Sequence, residues 1–200
     1  MKARLGILLS GRGSNFLAIH RATVRGELAA EISCVIANRA DAPGLLKARE
    51  MGLPAYFVRT RGDREAYETE MAALLEQHRV QLVCLAGFMK ILGPVLLRQF
   101  AGRILNIHPA LLPAFPGLHA QEQAWRYGVK YAGCTVHFVD AGVDTGPVVA
   151  QAVVPVLDDD TPTALADRIL EQEHRLYAEA IKFVIENQYV IDGRRVMKKK

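Results

Sequence analysis

Residues 4–20, RLGILLSGRGSNFLAIH, decide the fold class of this chain. The first seven positions form an apolar run typical of a buried strand, and Gly11 and Gly13 mark a tight turn. The positions after the turn have the apolar spacing of a helix. A strand that leads through a glycine-rich turn into a helix is a repeating step of parallel sheets covered by helices. The segment therefore predicts an α/β fold.

The rest of the first half continues this alternation. Strands are predicted at 31–38, 55–58, 81–87 and 102–108, and helices at 15–28, 42–52, 63–79 and near 93–101. Gly52 is expected to stop its helix, since glycine is favoured just past a helix end. The alternation predicts a Rossmann-like, mostly parallel sheet with helices on both faces.

The second half has a different rhythm. A helix is predicted at 117–128, strands at 131–140 and 147–156, and a long helix at 161–187. The loop AGVDTG joins the two strands and favours an antiparallel pair. Thr161 and Pro162 have the residue types of an N-cap and a first helical position. The closing QYVIDGRRV favours a last hairpin around Asp-Gly.

Composition and charge narrow the functional classes. Half of the residues are apolar and 23% are charged, as in soluble globular proteins. The net charge of the chain is +4, and five cationic residues lie within 194–200. Without these five, the rest of the chain has a net charge of about −1, so no nucleic-acid partner is expected. No segment approaches the ~20 apolar residues of a membrane helix. The first apolar run is too short for a signal peptide, and a cytoplasmic location is expected.

The cysteines and most histidines lack the spacing of a metal site. Each of the three cysteines lies in an apolar, strand-like run, so buried reduced thiols are expected. The histidines outside the motifs below show no ligand spacing: His20, His78, His137 and His174. His137 is expected to make a structural hydrogen bond, and no metal is expected.

The turn GRGSN at 11–15 has the chemistry of an anion site. Backbone N–H groups and the positive end of a helix favour a phosphate or a carboxylate there. Ser14 and Asn15 add side-chain donors, and Arg12 adds positive charge. The turn lacks the third glycine of the dinucleotide motif and the lysine of a P-loop. A plain tight turn remains the alternative.

The stretch NIHPALLPAFPG at 106–117 suggests a catalytic site. Asn106 and His108 stand two apart at a strand end and leave from the same face. The carboxyl ends of parallel strands bind ligands, and the prolines that follow stiffen the loop. The alternative is that both side chains cap the strand by bonding to the backbone. Asp144, in the loop DAGVDTGP, would complete a carboxylate–imidazole–amide group if that loop reached the strand end.

Such a group suits the transfer of an acyl group. An aspartate beside a histidine favours the imidazolium. A protonated His108 and the Asn106 amide then offer two donors to an oxyanion. No serine or cysteine accompanies them as a nucleophile, so the nucleophile is expected to arrive with a substrate.

Four segments carry a family resemblance over nearly the whole chain: GRGSN at 11–15, AGFMKIL at 86–92, LNIHPALLPAFPGLHA at 105–120 and GCTVHFVDAGVDTGPVVAQ at 133–151. The chain resembles the phosphoribosylglycinamide (GAR) formyltransferases. The resemblance implies formylation of the GAR amine by 10-formyltetrahydrofolate in de novo purine biosynthesis, without a metal, in a monomer or homodimer. It also implies a single domain of residues 1–200, with a phosphate-binding half at 1–105, a catalytic and folate-binding half at 106–200 and a basic tail at 194–200.

The resemblance assigns residues to the site. It implies the catalytic residues Asn106, His108 and Asp144. It implies GAR contacts at Gly11, Arg12, Gly13, Ser14, Asn15, Arg64, Pro109 and Glu173. It implies folate contacts at Met89, Lys90, Ile91, Leu92, Asn106, Asp140, Ala141, Gly142, Val143 and Asp144. Without it, FMKIL would be interpreted as core, Glu173 as a solvated helix face and Arg64 as a charge in a first helical turn.

The chain also departs from the family pattern, and other enzymes share its chemistry. Ala110 stands where members often have serine, and Lys90 where many have arginine; the residues around His119 differ as well. The main alternative is formyltetrahydrofolate deformylase, in which water replaces the amine. Methionyl-tRNA formyltransferase and a non-catalytic folate- or nucleotide-binding module are the others.

Overall fold

The computed structural model describes residues 2–199, and the chain divides after Asn106 into two compact units. The first unit is a parallel α/β sheet. Its strands are β1 (Ala3–Leu9), β2 (Ala30–Ala37), β3 (Ala55–Phe57), β4 (Leu82–Leu85) and β5 (Ile104–His108), which ends two residues beyond the division. Its helices are α1 (Ser14–Val24), α2 (Pro43–Glu50), α3 (Arg64–Gln77) and α4 (Pro94–Gln99). The strand order is β3-β2-β1-β4-β5, and neighbouring strands are parallel.

The order in which the chain adds strands to this sheet reverses at β1. The chain moves outward from β1 to β3 and then returns to β4 and β5 on the other side. Because crossovers between parallel strands are right-handed, α1 and α2 cover one face and α3 and α4 cover the other. Accordingly, α1 contacts α2, and α3 contacts α4. The predicted parallel sheet with helices on both faces is confirmed, and ligands bind at such a reversal, beside the carboxyl ends of β1 and β4.

The central strands form the core of the first unit. Leu5, Ile7 and Leu8 of β1 are fully buried, as expected for a strand covered on both faces. Gly6 allows close packing, since a Cβ there would lie 2.5 Å from a methyl group of Leu75 in α3. The apolar run that predicted β1 is therefore a core strand.

The second unit combines antiparallel strands with a long helix. It contains α5 (Ala120–Tyr127), β6 (Tyr131–Phe138), β7 (Val148–Pro155), α6 (Pro162–Glu186), β8 (Tyr189–Asp192) and β9 (Arg195–Lys198). The strand order is β6-β7-β9-β8. The pairs β6/β7 and β8/β9 are antiparallel, whereas β7 and β9 run parallel. The predicted antiparallel pair and long helix are confirmed, and α6 packs on β6 and β7.

Local signals placed several helix ends correctly. Thr161 caps α6 by accepting a hydrogen bond from Ala164 N–H at 3.1 Å, and Pro162 is its first residue. Gly52 follows α2 with a φ of +70°. In contrast, α5 begins three residues later than predicted, because His119 has a left-handed φ of +58°.

The predicted last hairpin around Asp-Gly is confirmed, since β8 and β9 pair antiparallel on either side of it, and Arg195–Lys198 of the basic tail form β9. Cys34, Cys84 and Cys134 are buried, as predicted, and none of them forms a disulfide bond within the described residues. Within residues 2–199, no helix combines the length and the apolar character needed to cross a membrane. The division into halves at 1–105 and 106–200 stays a prediction.

Candidate active site

The turn between β1 and α1 is held by a close approach to α2. Gly13 has a φ of +71° and precedes the first residue of α1. A Cβ on Gly13 would lie 3.0 Å from the Cα of Gly44, and Gly44 N–H donates to the Gly11 carbonyl at 3.0 Å. Glycine at position 13 is therefore required by conformation and by packing. A Cβ on Gly11, in contrast, would meet no atom within 4 Å.

The segment after β4 is tied to the end of β1. Ser10 N–H donates to the Gly87 carbonyl at 3.0 Å, and the Ser10 hydroxyl accepts a hydrogen bond from Met89 N–H at 2.8 Å. Met89 and Ile91 are 62% and 57% exposed, whereas Leu92 is buried. Thus most of FMKIL is not core, and that alternative is wrong for its exposed positions.

Arg64 and Glu173 lie in different environments. Arg64 is the first residue of α3, is exposed, and packs its Cδ against Gly93. Glu173 is only 6% exposed on α6, so the alternative of a solvated helix face is wrong. Burial, followed by the charge of Glu173, raises the pKa of the Cys134 thiol to about 12. Cys134 is thus protonated near neutrality and is a poor nucleophile.

A carboxylate whose side chain is 13% exposed lies between two histidines in the second unit. His108 Nδ1 is 3.3 Å from Asp144 Oδ2, and His137 Nε2 is 3.6 Å from Asp144 Oδ1. Gly117 N–H also donates to Asp144 Oδ2 at 2.8 Å. His108 is the last residue of β5 and His137 lies on β6. The structure thus brings Asp144 to His108, whose strand also carries Asn106 two positions earlier.

The ring nitrogens that do not face Asp144 contact backbone carbonyls. His108 Nε2 lies 2.9 Å from the Phe115 oxygen, and His137 Nδ1 lies 2.8 Å from the Phe138 oxygen. A carbonyl oxygen only accepts hydrogen bonds, so these nitrogens carry protons. The nitrogen of each ring that faces Asp144 is attracted to the carboxylate when that nitrogen also carries a proton. The geometry therefore places the Asp144 carboxylate where it would stabilise a positive charge on either ring.

The environment keeps Asp144 ionised. Burial acts to raise the pKa of this carboxyl. Hydrogen bonding from His137 and from Gly117 N–H, with the charges of His108 and His137, outweighs burial and holds the pKa of Asp144 below its usual range. Asp144 is therefore suited to stabilising a neighbouring positive charge and is a weak base.

The segment after His108 is anchored by β6. The Thr135 hydroxyl donates to the Ala110 carbonyl at 2.7 Å and accepts from Leu112 N–H at 3.0 Å. Gln151 Nε2 donates to the Leu112 carbonyl at 3.0 Å and to the Thr135 hydroxyl at 2.9 Å. Phe115, whose carbonyl faces His108, has a φ of +52°. A non-glycine residue in this region indicates a backbone constrained by its surroundings.

The loop that carries Asp144 is shaped by its own side chains. Asp140 Oδ1 accepts from Gly142 N–H at 3.1 Å and from the Thr145 hydroxyl at 2.7 Å. A Cβ on Gly146 would lie 1.8 Å from the Phe138 oxygen, so glycine is needed there. Asp144 itself has a φ of +54°. These contacts aim the carboxylate inward.

The sequence interpretation did not assign Thr135, His137, Gln151 or Phe115 to the site. A polar side chain in an otherwise apolar strand, as in GCTVHF, is a signal for the first two, since buried polar groups need partners. Nothing in the sequence marks the Phe115 carbonyl. Among residues 2–199, no set of three or more His, Cys, Asp or Glu side chains is arranged to hold a metal ion.

Comparisons with known proteins place the chain in a family. The formyl transferase family matches residues 3–181. Phosphoribosylglycinamide formyltransferase of Escherichia coli (strain K12) is 39% identical over 199 residues, covering 95% of this chain and 94% of that protein. The trifunctional purine biosynthetic protein adenosine-3 of Drosophila melanogaster is 42% identical over 95% of this chain, which spans only 14% of that longer protein.

Solved structures agree. Glycinamide ribonucleotide transformylase 1 from Symbiobacterium toebii has a TM-score of 0.96 at 49% identity, covering 100% of this chain and 95% of that one. A formyltetrahydrofolate deformylase from Pseudomonas syringae pv. tomato has a TM-score of 0.92 at 28% identity, covering 100% of this chain and 67% of that one. The chain belongs to the formyl transferase family.

Proposed function

We propose that this chain transfers the formyl group of 10-formyltetrahydrofolate to the amine of GAR, a step of de novo purine biosynthesis. The observation that carries the proposal is the contact between the buried His108 and the carboxylate of Asp144, at the end of the strand that bears Asn106. Near full-length similarity to proteins named for this reaction supports the choice of substrates. The coenzyme is a co-substrate, no metal takes part, and the enzyme acts in the cytoplasm as a monomer or homodimer.

The amine of GAR attacks the formyl carbon, and the formyl oxygen becomes an oxyanion. An α-amino group with a pKa of about 7.7–8.0 is already partly neutral near pH 7, so this attack needs no strong base. His108 Nε2–H and the Asn106 amide donate to the oxyanion, and Asp144 stabilises the imidazolium from its other side. The ammonium then loses a proton to a water, with Asp144 assisting. The oxyanion re-forms the carbonyl as the bond from carbon to N10 breaks, and His108 gives its proton to N10. The proton released to water restores the imidazolium of His108.

His108 must exchange a partner before it can donate to the substrate. Its Nδ1 faces Asp144, so Nε2 is the nitrogen that serves the oxyanion, and Nε2 contacts the Phe115 carbonyl at 2.9 Å. The formyl oxygen takes the acceptor position that Phe115 holds. Nε2 makes one hydrogen bond before the exchange and one after it, which limits the free-energy cost of the exchange.

The proposed binding residues follow from the same assignment. The phosphate of GAR is bound by the turn at Gly11–Asn15, with Arg64 contributing charge, and Pro109 and Glu173 contact the glycinamide end. The folate is bound by Met89–Leu92 and by the loop at 140–144, with Asn106 and Asp144. Open space beside Gly11 and the exposed side chains of Met89 and Ile91 support ligand contacts at these two loops.

The rival is hydrolysis of the formyl group, as in the deformylase. The similarity in fold to the deformylase supports this rival. However, the sequence identity to that deformylase is 28%, against 49% for the transformylase. Incubation with 10-formyltetrahydrofolate, with and without GAR, separates the two. Tetrahydrofolate formed only with GAR supports the proposal, release without GAR supports hydrolysis, and no release in either case refutes both.

A further inference from the structure

Glu68 is a buried carboxylate within the first unit. It lies on α3 and is 1% exposed. Its Oε1 accepts a hydrogen bond from Gly93 N–H, and its Oε2 accepts from Val95 N–H at 3.2 Å and Leu96 N–H at 3.5 Å. Removing a carboxylate from water is strongly unfavourable unless such bonds replace its hydration. The three amides supply this replacement.

These bonds cap α4 from outside. Gly93 is the N-cap residue and has no side chain with which to satisfy the first amides of the helix, and Pro94 has no N–H. Glu68 therefore does from α3 what an N-cap serine or aspartate does locally. The fit is tight, because a Cβ on Gly93 would lie 2.7 Å and 2.9 Å from the two carboxylate oxygens.

The capped helix end is also the end of the segment 88–92. This segment has no regular secondary structure. Ser10 holds its beginning through Met89 N–H, and Glu68 holds the residue that follows it. Between the two anchors, Met89, Lys90 and Ile91 point outward. A short irregular segment that is fixed at both ends loses little conformational entropy when a ligand binds.

We infer that Glu68 is a positioning residue for the folate, through its bonds to the end of the segment 88–92. The inference rests on the proposed function, which assigns this segment to folate binding. Glu68 does not touch the ligand. Its role is to keep the backbone of the segment in the conformation that binds.

The test replaces the carboxylate without changing its size. In Glu68→Gln, an NH2 group faces backbone donors, so part of the cap is lost and the segment loosens. The expected result is a rise of about tenfold in the Kd for tetrahydrofolate and in the KM for 10-formyltetrahydrofolate, the size expected when a charge-assisted hydrogen bond is lost. The KM for GAR and the kcat at saturation stay within about twofold. Glu70→Gln, an exposed position on the same helix, is the matched control and leaves all values unchanged.

Two further measurements separate positioning from a purely structural role. Hydrogen exchange at the Gly93 and Val95 amides rises in Glu68→Gln, while thermal unfolding shows that the variant is folded. If Glu68→Gln does not fold, Gly93→Ala tests the same contact, since its methyl group displaces the carboxylate while its φ of −101° suits alanine.

The outcomes are distinct. A selective rise in the folate constants supports the inference. Unchanged folate constants in a folded variant, or equal losses for folate and GAR, overturn it. Failure of the wild-type chain to bind tetrahydrofolate refutes the proposed function itself, and the inference with it.

Discussion

Replacing Asp144 by asparagine tests the electrostatic part of the proposed mechanism. Asparagine has nearly the same shape, and its side-chain oxygen can still accept the Gly117 N–H bond of 2.8 Å. The negative charge that faces His108 at 3.3 Å and His137 at 3.6 Å is removed. The substitution therefore changes charge with little change in packing.

The expected loss follows from the position of this charge. The Asp144 side chain is only 13% exposed, so water does not replace the missing carboxylate at His108. Without it the imidazolium is no longer favoured, and Nε2 becomes a weaker donor to the oxyanion. Losing one such donor lowers kcat by about 10²–10³, or about 2.7–4 kcal/mol of transition-state stabilisation.

The assay follows tetrahydrofolate formation with GAR and 10-formyltetrahydrofolate both saturating. Asp158→Asn is the control, because that carboxylate lies in the same unit and its side chain is 97% exposed. A fall in kcat for Asp144→Asn alone is expected. Near wild-type kcat, or a loss confined to KM, would refute the role given to Asp144.

The same variant has a defined pH dependence in stability. The pKa of Asp144 is lowered by folding, so its stabilising contribution is complete above the unfolded carboxyl pKa of about 3.9 and is lost as the pH falls through the folded value. Urea unfolding should show wild type more stable than Asp144→Asn at pH 6, with the difference shrinking below about pH 4. A constant difference across this range would contradict the pKa direction.

Three further predictions concern other parts of the structure. Gly13→Ala should lower Tm more than Gly52→Ala. Both glycines have a φ near +70°, but only a Cβ at position 13 would also meet a close backbone neighbour. Equal losses of Tm would show that this packing contributes nothing. Thr135→Val should lower the free energy of unfolding in urea by about 1–3 kcal/mol and should also lower kcat. Thr135→Ser should keep the wild-type value of both quantities. A Thr135→Val variant with wild-type stability and kcat would contradict the anchoring role. Arg168 lowers the pKa of Asp160 to about 2, so the greater stability of wild type over Asp160→Asn should be present above the unfolded carboxyl pKa of about 3.9 and fall as the pH drops toward 2. A difference that does not shrink between about pH 5 and pH 2 would contradict this.

The fold was predictable because its signals are local. The run that became β1, the glycine turn and the helix after it each follow from spacing and residue type within a few positions. The cap at Thr161 is equally local. The reversal at β1, in contrast, depends on which strands pair, and no local pattern encodes that.

The site was predictable only in part. Asn106 and His108 lie two positions apart on one strand, and side chains two apart on a strand point to the same face, so their common face could be predicted. The contact between Asp144 and His108 depends on how a loop 36 positions later folds, so the sequence could pose it only as a condition. The position of the Phe115 carbonyl depends on backbone conformation. Glu68 is one of several acidic residues in α3, and no local pattern distinguishes it from the others. Their catalytic and positioning roles stay predictions.

The strand order of the second unit has a consequence for synthesis on the ribosome. β9 lies between β7 and β8, so Arg195–Lys198 complete an inner position of the sheet. β7 therefore lacks its pairing at Val148 until these residues have left the exit tunnel. The first unit is contiguous in sequence, and its strands can pair while the second half is still being translated. A nascent chain stalled near residue 190 should thus hold a finished first unit, while the start of β7 still lacks the partner that Arg195 provides.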